Sequence, residues 1–110
     1  MTIETDKIRT LNDCFRTRFS GGTLHMTDGV ATLPTHQSAA VLSAVREFTA
    51  FDNDNDPHQE HDFGAIDLFG SKFFWKIDYY AKGDFSAGSE NPADPDKTTR
   101  VLTIMLASEY

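Results

Sequence analysis

A chain of 110 residues, 39% hydrophobic and 12% aromatic, suffices for one domain with a modest core and is too short for two, so a single domain over 1–110 is predicted. The formal charge of −7, from 17 acids against 10 lysines and arginines, disfavours direct binding of nucleic acid, which needs clustered basic side chains. A single cysteine, Cys14, excludes an intramolecular disulfide and a thiolate zinc cage built from one chain, and no run approaches the roughly 18 apolar residues of a membrane span.

In chain order, Thr2 is placed to cap a first helix. Its Ile8, Leu11, Phe15 and Phe19 recur at helical steps until Ser20-Gly21-Gly22 ends it. Cys14 lies inside this pattern and reads as an ordinary buried thiol. The opening MTIETDKIRT has no apolar signal region, so a cytoplasmic protein is expected. Thr23 to Thr27 alternates apolar with polar ahead of Asp28-Gly29 and predicts a short strand; Val30 to Leu33 either pairs back on it or leads onward. Pro34 opens a second helix with the stripe Ala40, Val41, Ala44, Val45 and Phe48, running to about Phe51.

The stretch FGAIDLFGSKFFWKIDYY predicts a hairpin. Gly70-Ser71 suits a type II′ turn, pairing Phe69 with Lys72 and Ile66 with Trp75. Ile66, Leu68, Phe73, Trp75, Ile77 and Tyr79 then share the core face, and Asp67, Lys72, Lys76 and Asp78 share the other with Phe69, Phe74 and Tyr80. A polar loop, GDFSAGSENPADPDK, leads to a last strand, TRVLTIMLA, apolar enough on both faces to lie inside the sheet. The fold class is therefore α+β, with two helices packed on one face of a small antiparallel sheet of three to four strands, in the order α-β-α-β-β-β. Phe69, Phe74 and Tyr80 are left on the open face as a candidate interface, for a partner or for a second copy in a homodimer.

The acidity is gathered into two windows. Asp52, Asp54, Asp56, Glu60 and Asp62 lie in one, Asp84, Glu90, Asp94 and Asp96 in the other, and neither holds a base. Basic protein surfaces or cations are the expected partners. Asp52, Asp54 and Asp56 imitate the start of a calcium EF-hand loop, but Pro57 stands where its glycine belongs and Phe63 where its bidentate glutamate belongs. His58, Glu60, His61 and Asp62 are ligand types that Zn²⁺, Mn²⁺ or Fe²⁺ accept. The alternative to a binding protein is accordingly a metal-dependent, hydrolase-like enzyme on those four, with Asp56 or Lys76 moving protons; otherwise no cofactor is expected. Nuclease chemistry is disfavoured because Phe74 occupies the place, two before Lys76, where an acid would be needed. No nucleophilic triad, P-loop or dinucleotide fingerprint is present.

The strings LNDCFR, DNDPHQEHDFGAIDLFG, KFFWKIDYY and TTRVLTIMLASEY resemble the small bacterial proteins grouped as the domain of unknown function 3768 family, from about Leu11 to Tyr110. That resemblance implies a cytoplasmic protein of alphaproteobacterial chromosomes, plasmids and mobile elements, and carries no activity with it. Small acidic antagonists of host defence are frequent in such neighbourhoods. The leading expectation is a non-enzymatic acidic protein, in its concrete form an inhibitor of a nucleic-acid-handling defence complex, whose carboxylates stand where phosphates would bind.

Overall fold

Helix α1 (Ile3–Arg18) begins where Thr2, in extended backbone, accepts the Thr5 amide on its side chain at 3.0 Å, with Glu4 and Asp6 in the first turn to complement the helix dipole. It stops at Phe19, which turns into the left-handed region at φ 51°. The computed structural model describes residues 2–110. Strand β1 (Thr23–Met26) follows, then a single-turn helix α2 (Asp28–Ala31) that the sequence does not announce. Pro34 caps α3 (Thr35–Arg46), which ends five residues before Phe51, the end expected from the sequence. Phe48 and Phe51 lie beyond the helix yet still pack on the core.

The α3 terminus has an unusual cap. Arg16, 3% exposed, donates through Nη1 to the carbonyls of Val45 at 2.9 Å, Arg46 at 3.3 Å and Phe48 at 3.0 Å, and so meets carbonyls at and just past the helix end. Its guanidinium lies 5.4 Å from the Phe51 ring and 5.1 Å from the Trp75 ring.

Strands β2 (Phe63–Leu68), β3 (Ser71–Ala81), β4 (Asp84–Gly88) and β5 (Thr98–Leu106) complete a five-stranded mixed sheet in the order β1-β5-β3-β2, with β4 pairing the far end of β3. The expectation of a purely antiparallel sheet of three to four strands is corrected in two respects. Strand β1 runs parallel to β5, Thr23 opposite Val101, because no hairpin connects them and nothing dictates an antiparallel approach. Strand β4 forms inside the stretch expected to be loop, and Asp84 belongs to it. All of its residues are exposed, which is why no alternation of apolar residues betrays it.

The β2–β3 hairpin turns at Phe69-Gly70 and not at Gly70-Ser71. Both turn residues have positive φ, 55° and 75°, as a type I′ turn requires. Ile66 consequently pairs with Phe73 and Gly64 with Trp75, a shift of two residues from the predicted register. An even shift keeps every side chain that stays in the strands on its predicted face, while Phe69, expected on the open face opposite Lys72, leaves the ladder for the turn. Phe73, Trp75 and Ile77 are buried and join Phe15, Val30, Val41, Val45, Leu102 and Ile104 in one core, so the helices do cover a single face of the sheet. Strand β5 lies between β1 and β3, as its apolar character predicts.

The opposite face is partly covered by the chain itself. After the 3-10 turn Ala107–Glu109, Tyr110 comes back over it, 5.6 Å from the Phe74 ring and 6.3 Å from that of Phe63. Tyr80 packs on Phe85 of β4 at 5.5 Å.

Candidate functional site

The chain from Phe51 to Asp62 is a run of turns that commits several of its charges to its own architecture. Asp52 Oδ1 accepts the amides of Asp54 and Asn55, both at 2.9 Å, and Asn55 Oδ1 accepts the Asp52 amide. Asp56 is only 4% exposed: its Oδ1 takes the His61 amide at 3.0 Å and its Oδ2 lies 3.6 Å from His61 Nε2. The His61 ring stacks flat on Phe51, with centroids 3.8 Å apart, and its Nδ1 sits 2.9 Å from Asp13 Oδ1 of α1. Gln59 and His61 are both left-handed, at φ 58° and 54°, a conformation that persists at a non-glycine residue only when its surroundings hold it. Asp13, Asp56 and Phe51 do so for His61, and Arg9 Nη1 donates to the Gln59 carbonyl at 3.2 Å. An open cleft of about 290 Å³ lies between Arg9, Phe51, Asp56, Gln59 and His61.

Beneath this loop is a buried polar junction. Asn12, fully buried, donates through Nδ2 to the Glu60 carbonyl at 3.0 Å and to the Tyr79 hydroxyl at 2.8 Å. Tyr79 in turn donates to Glu60 Oε1 at 2.7 Å. Arg100 of β5 donates from Nε to Asn12 Oδ1 at 2.8 Å and from Nη2 to the Pro92 carbonyl, and its guanidinium lies 5.3 Å from the Tyr79 ring. One junction therefore holds Glu60 in the first acidic segment and Pro92 in the second.

Burial sets the electrostatics here. It pushes the Tyr79 hydroxyl well above its usual range, and donation to the Glu60 carboxylate acts the same way, so Tyr79 stays a hydrogen-bond donor. Burial also draws the Arg100 guanidinium below its ordinary value, countered by Tyr79 and Glu60. Asp62 is raised above the usual aspartate value, first by burial and then by the neighbouring Glu60 and Asp56 charges.

The second acidic segment is laced in a similar way. Asp94 Oδ1 accepts the Asp96 amide at 2.9 Å, Thr98 Oγ1 donates to the Asn91 carbonyl at 2.9 Å, and Asp84 accepts the Ser86 amide at 3.0 Å. The Ser86 bonds hold Asp84 below the usual carboxylate range. Of the nine acids singled out from the sequence, Asp54, Glu90 and Asp96 make no side-chain hydrogen bond or ion pair among the described residues.

The set His58, Glu60, His61 and Asp62 is not brought together around a common point. His58 is exposed, Glu60 is held by Tyr79, and His61 lies between Asp13 and Asp56. No three His, Cys, Asp or Glu side chains converge as a metal-holding group among the described residues. Lys76 pairs with Asp78 at 3.0 Å, on the sheet face opposite the core. Cys14, expected to be buried, is exposed, because the buried line of α1 runs through Ile8, Asn12, Phe15 and Arg16 and turns its neighbour outward.

Sequence reasoning missed Asn12, Arg16 and Arg100, and it took Tyr79 only for a core residue. Two of them left a signal. Asn12 occurs four residues after Ile8 on the apolar stripe of α1, and Arg100 shares the inward parity of Leu102 and Ile104 in a central strand. A polar residue in an inward register implies a partner waiting there.

None of the described helices is long and apolar enough to cross a membrane. No curated protein and no solved structure matches the chain. The family described as "Protein of unknown function (DUF3768)" matches residues 26–109, a span that takes in both acidic segments, Tyr79 and Arg100 and leaves out α1. With most of its length inside that match, the chain belongs to the DUF3768 family of proteins of unknown function.

Proposed function

We propose that the protein is a small acidic binding module, with no catalysis of its own, that offers carboxylates from two loops to a cationic surface on another protein. The observation that carries this reading is the shared root of the loops: Asn12 and Arg100 tie Glu60 of one and Pro92 of the other to a single buried junction. Among the described residues the carboxylates of Asp54, Glu90 and Asp96 have no partner, and of the arginines that reach the loops Arg100 is buried against Asn12 and the Pro92 carbonyl, while Arg9 is held by Asp6 and the Gln59 carbonyl. Burial, Glu60 and Asp56 all oppose the ionisation of Asp62, so within the first loop the exposed Asp54 is the readier carrier of charge.

A protein that handles nucleic acid presents the complementary surface, since its phosphate-binding groups would meet these carboxylates. Inhibition of such a complex is the concrete form of the proposal, with long-range attraction speeding encounter. A metal-dependent hydrolase on His58, Glu60, His61 and Asp62 has less support, because Glu60 and His61 already have protein partners.

The test is capture from the host lysate at low and raised salt, with the parent chain and with Asp54→Asn/Asp62→Asn/Glu90→Gln/Asp96→Asn. Asp56 and Glu60 are left intact because they hold the loop together. A partner that the parent holds at low salt should be released by salt and not retained by the variant. Retention by the variant with unchanged salt dependence would overturn the proposal.

A further inference from the structure

We infer that the outer edge of β2 is a contact between two copies of this chain, which join their sheets edge to edge about a two-fold axis at Ala65. This goes beyond the binding-module reading and does not depend on it. Strand β5 occupies one side of β3 from Phe73 to Ala81, so β2 lies on the other side and ends the sheet. Ile77 donates to the Asp62 carbonyl at 2.9 Å, which makes Asp62 a hydrogen-bonded position of the β2–β3 ladder. From there the positions alternate. Gly64, Ile66 and Leu68 turn their amides and carbonyls toward β3, and Phe63, Ala65 and Asp67 turn theirs away from the sheet. The two-residue turn at Phe69-Gly70 demands the same phase from the other end, since the pair that flanks it, Leu68 and Ser71, is a bonded one.

Sheet edges are ordinarily guarded against strand addition by lysine, proline or a bulge. Strand β2, FGAIDL, has no lysine and no proline, and its register with β3 is regular over its whole length. Its one charge, Asp67, is offset within the chain by Lys72 at 3.3 Å. On the core face Ile66 and Leu68 are only half-buried, at the rim of the cluster that holds Phe73 and Trp75, so a strand added here would also finish their burial.

The strand complements itself. With the axis at Ala65, antiparallel pairing sets Phe63 opposite Asp67 of the second copy, Ala65 opposite its own counterpart, and Asp67 opposite Phe63 of the second copy, so every outward amide and carbonyl of β2 finds a partner. Ala65, exposed and the smallest of the three outward residues, stands on the axis itself. No acid faces an acid. The two Asp67 side chains lie four positions apart along the ladder, about 13 Å, which exceeds the screening length at physiological salt. Moving the axis to Ile66 would set Phe63 against the turn residue Phe69, and moving it to Gly64 would set Asp67 against His61, outside the strand with φ 54°, so only Ala65 keeps all three positions paired.

Sedimentation velocity of the full chain over a wide range of concentration reads the association, and the parent should dimerise. Ala65→Pro removes an N–H that β3 does not use, so the hairpin keeps its ladder while the dimer loses both bonds on the axis; self-association should weaken about thirtyfold, the order of two hydrogen bonds. Ala65→Lys and Ala65→Asp each set like charges face to face across the axis and should each shift the chain toward monomer. Mixed in equal amounts they set lysine against aspartate and should restore a dimer. Only a contact that brings residue 65 opposite itself predicts that rescue, which shows at the same time that both variants fold. With −7 on each copy, the association should tighten as salt rises, the reverse of the capture of a basic partner, so the two interactions are told apart. A parent that stays monomeric at high concentration overturns the inference, and so does a dimer that the Ala65 variants leave unchanged or that their mixture fails to restore.

Discussion

Arg100 and Asn12 meet across 88 positions of sequence, Nε to Oδ1 at 2.8 Å, and this contact joins the central strand β5 to the first helix at the point where both acidic loops are rooted. Asn12→Ala would leave Arg100 Nε, the Glu60 carbonyl and one side of the Tyr79 hydroxyl without a partner in a buried setting. The expected loss is about 2–3 kcal/mol, because orphaned buried groups forfeit their solvation as well as the bond. Urea unfolding should show a lower midpoint with an unchanged slope. A variant as stable as the parent would mean that water reaches the junction.

Gly64 lies opposite Trp75 in the β2–β3 ladder, and a Cβ there would run into the indole nitrogen of Trp75 and approach Phe48 Cε1 to 2.9 Å. Trp75 is fully buried and stacks edge-on with Phe48 at 5.5 Å, so neither ring has room to retreat. Gly64→Ala is expected to cost about 1–3 kcal/mol by overpacking, read as a fall in the thermal midpoint. An alanine at Gly70, which has open space around it, meets no such clash, and its cost comes from φ 75° alone.

The sequence carried the core well and the loops poorly, for reasons visible in single residues. Alternation put Phe73, Trp75 and Ile77 on the inner face, and a two-residue error in register left them there because the side-chain period is itself two. The turn was misplaced because glycine-first chemistry favours Gly70-Ser71, whereas the chain accepts a left-handed Phe69. Strand β4 gave no signal, being exposed throughout, and the junction was legible only as two polar residues at inward positions, Asn12 in α1 and Arg100 in β5, whose pairing across 88 positions needs the fold. In the acidic stretches, a count of carboxylates could not separate Asp56, buried and bonded to His61, from Asp54, exposed and with its carboxylate unpartnered among the described residues.

The raised pKa of Asp62 fixes the sign of a pH effect. Between the unfolded value of about 3.8 and the higher folded value, the folded state keeps a proton that the unfolded chain has released. Stability from this group is therefore full below 3.8 and is lost as pH rises through the folded value. Asp62→Asn, which cannot ionise, should melt higher than the parent at neutral pH, the gap closing as pH falls below that window. Thermal melts across the acidic range check it, and equal midpoints at neutral pH would place Asp62 in freer contact with water than its burial indicates.

Phe69 opens the β2–β3 turn at φ 55°, a left-handed conformation that costs an L-residue with a bulky side chain roughly 1–2 kcal/mol and that asparagine tolerates far better. It also remains 53% exposed, so little burial offsets that cost. Phe69→Asn, giving the Asn-Gly pair favoured in type I′ turns, should stabilise the protein by about 1 kcal/mol in chemical denaturation. Phe74 and Tyr80, expected beside it on the open face, are strand residues already engaged with Tyr110 and Phe85, whereas Phe69 sits in the turn at one end of β3 with Tyr80 near the other. Sedimentation of parent and variant at high concentration gives the rising stability its meaning. An unchanged mass assigns the strained phenylalanine no role between copies, whereas a dimer in the parent that dissociates in the variant makes Phe69, with Phe74 and Tyr80, the contact between subunits and accounts for an aromatic ring held at a turn that disfavours it.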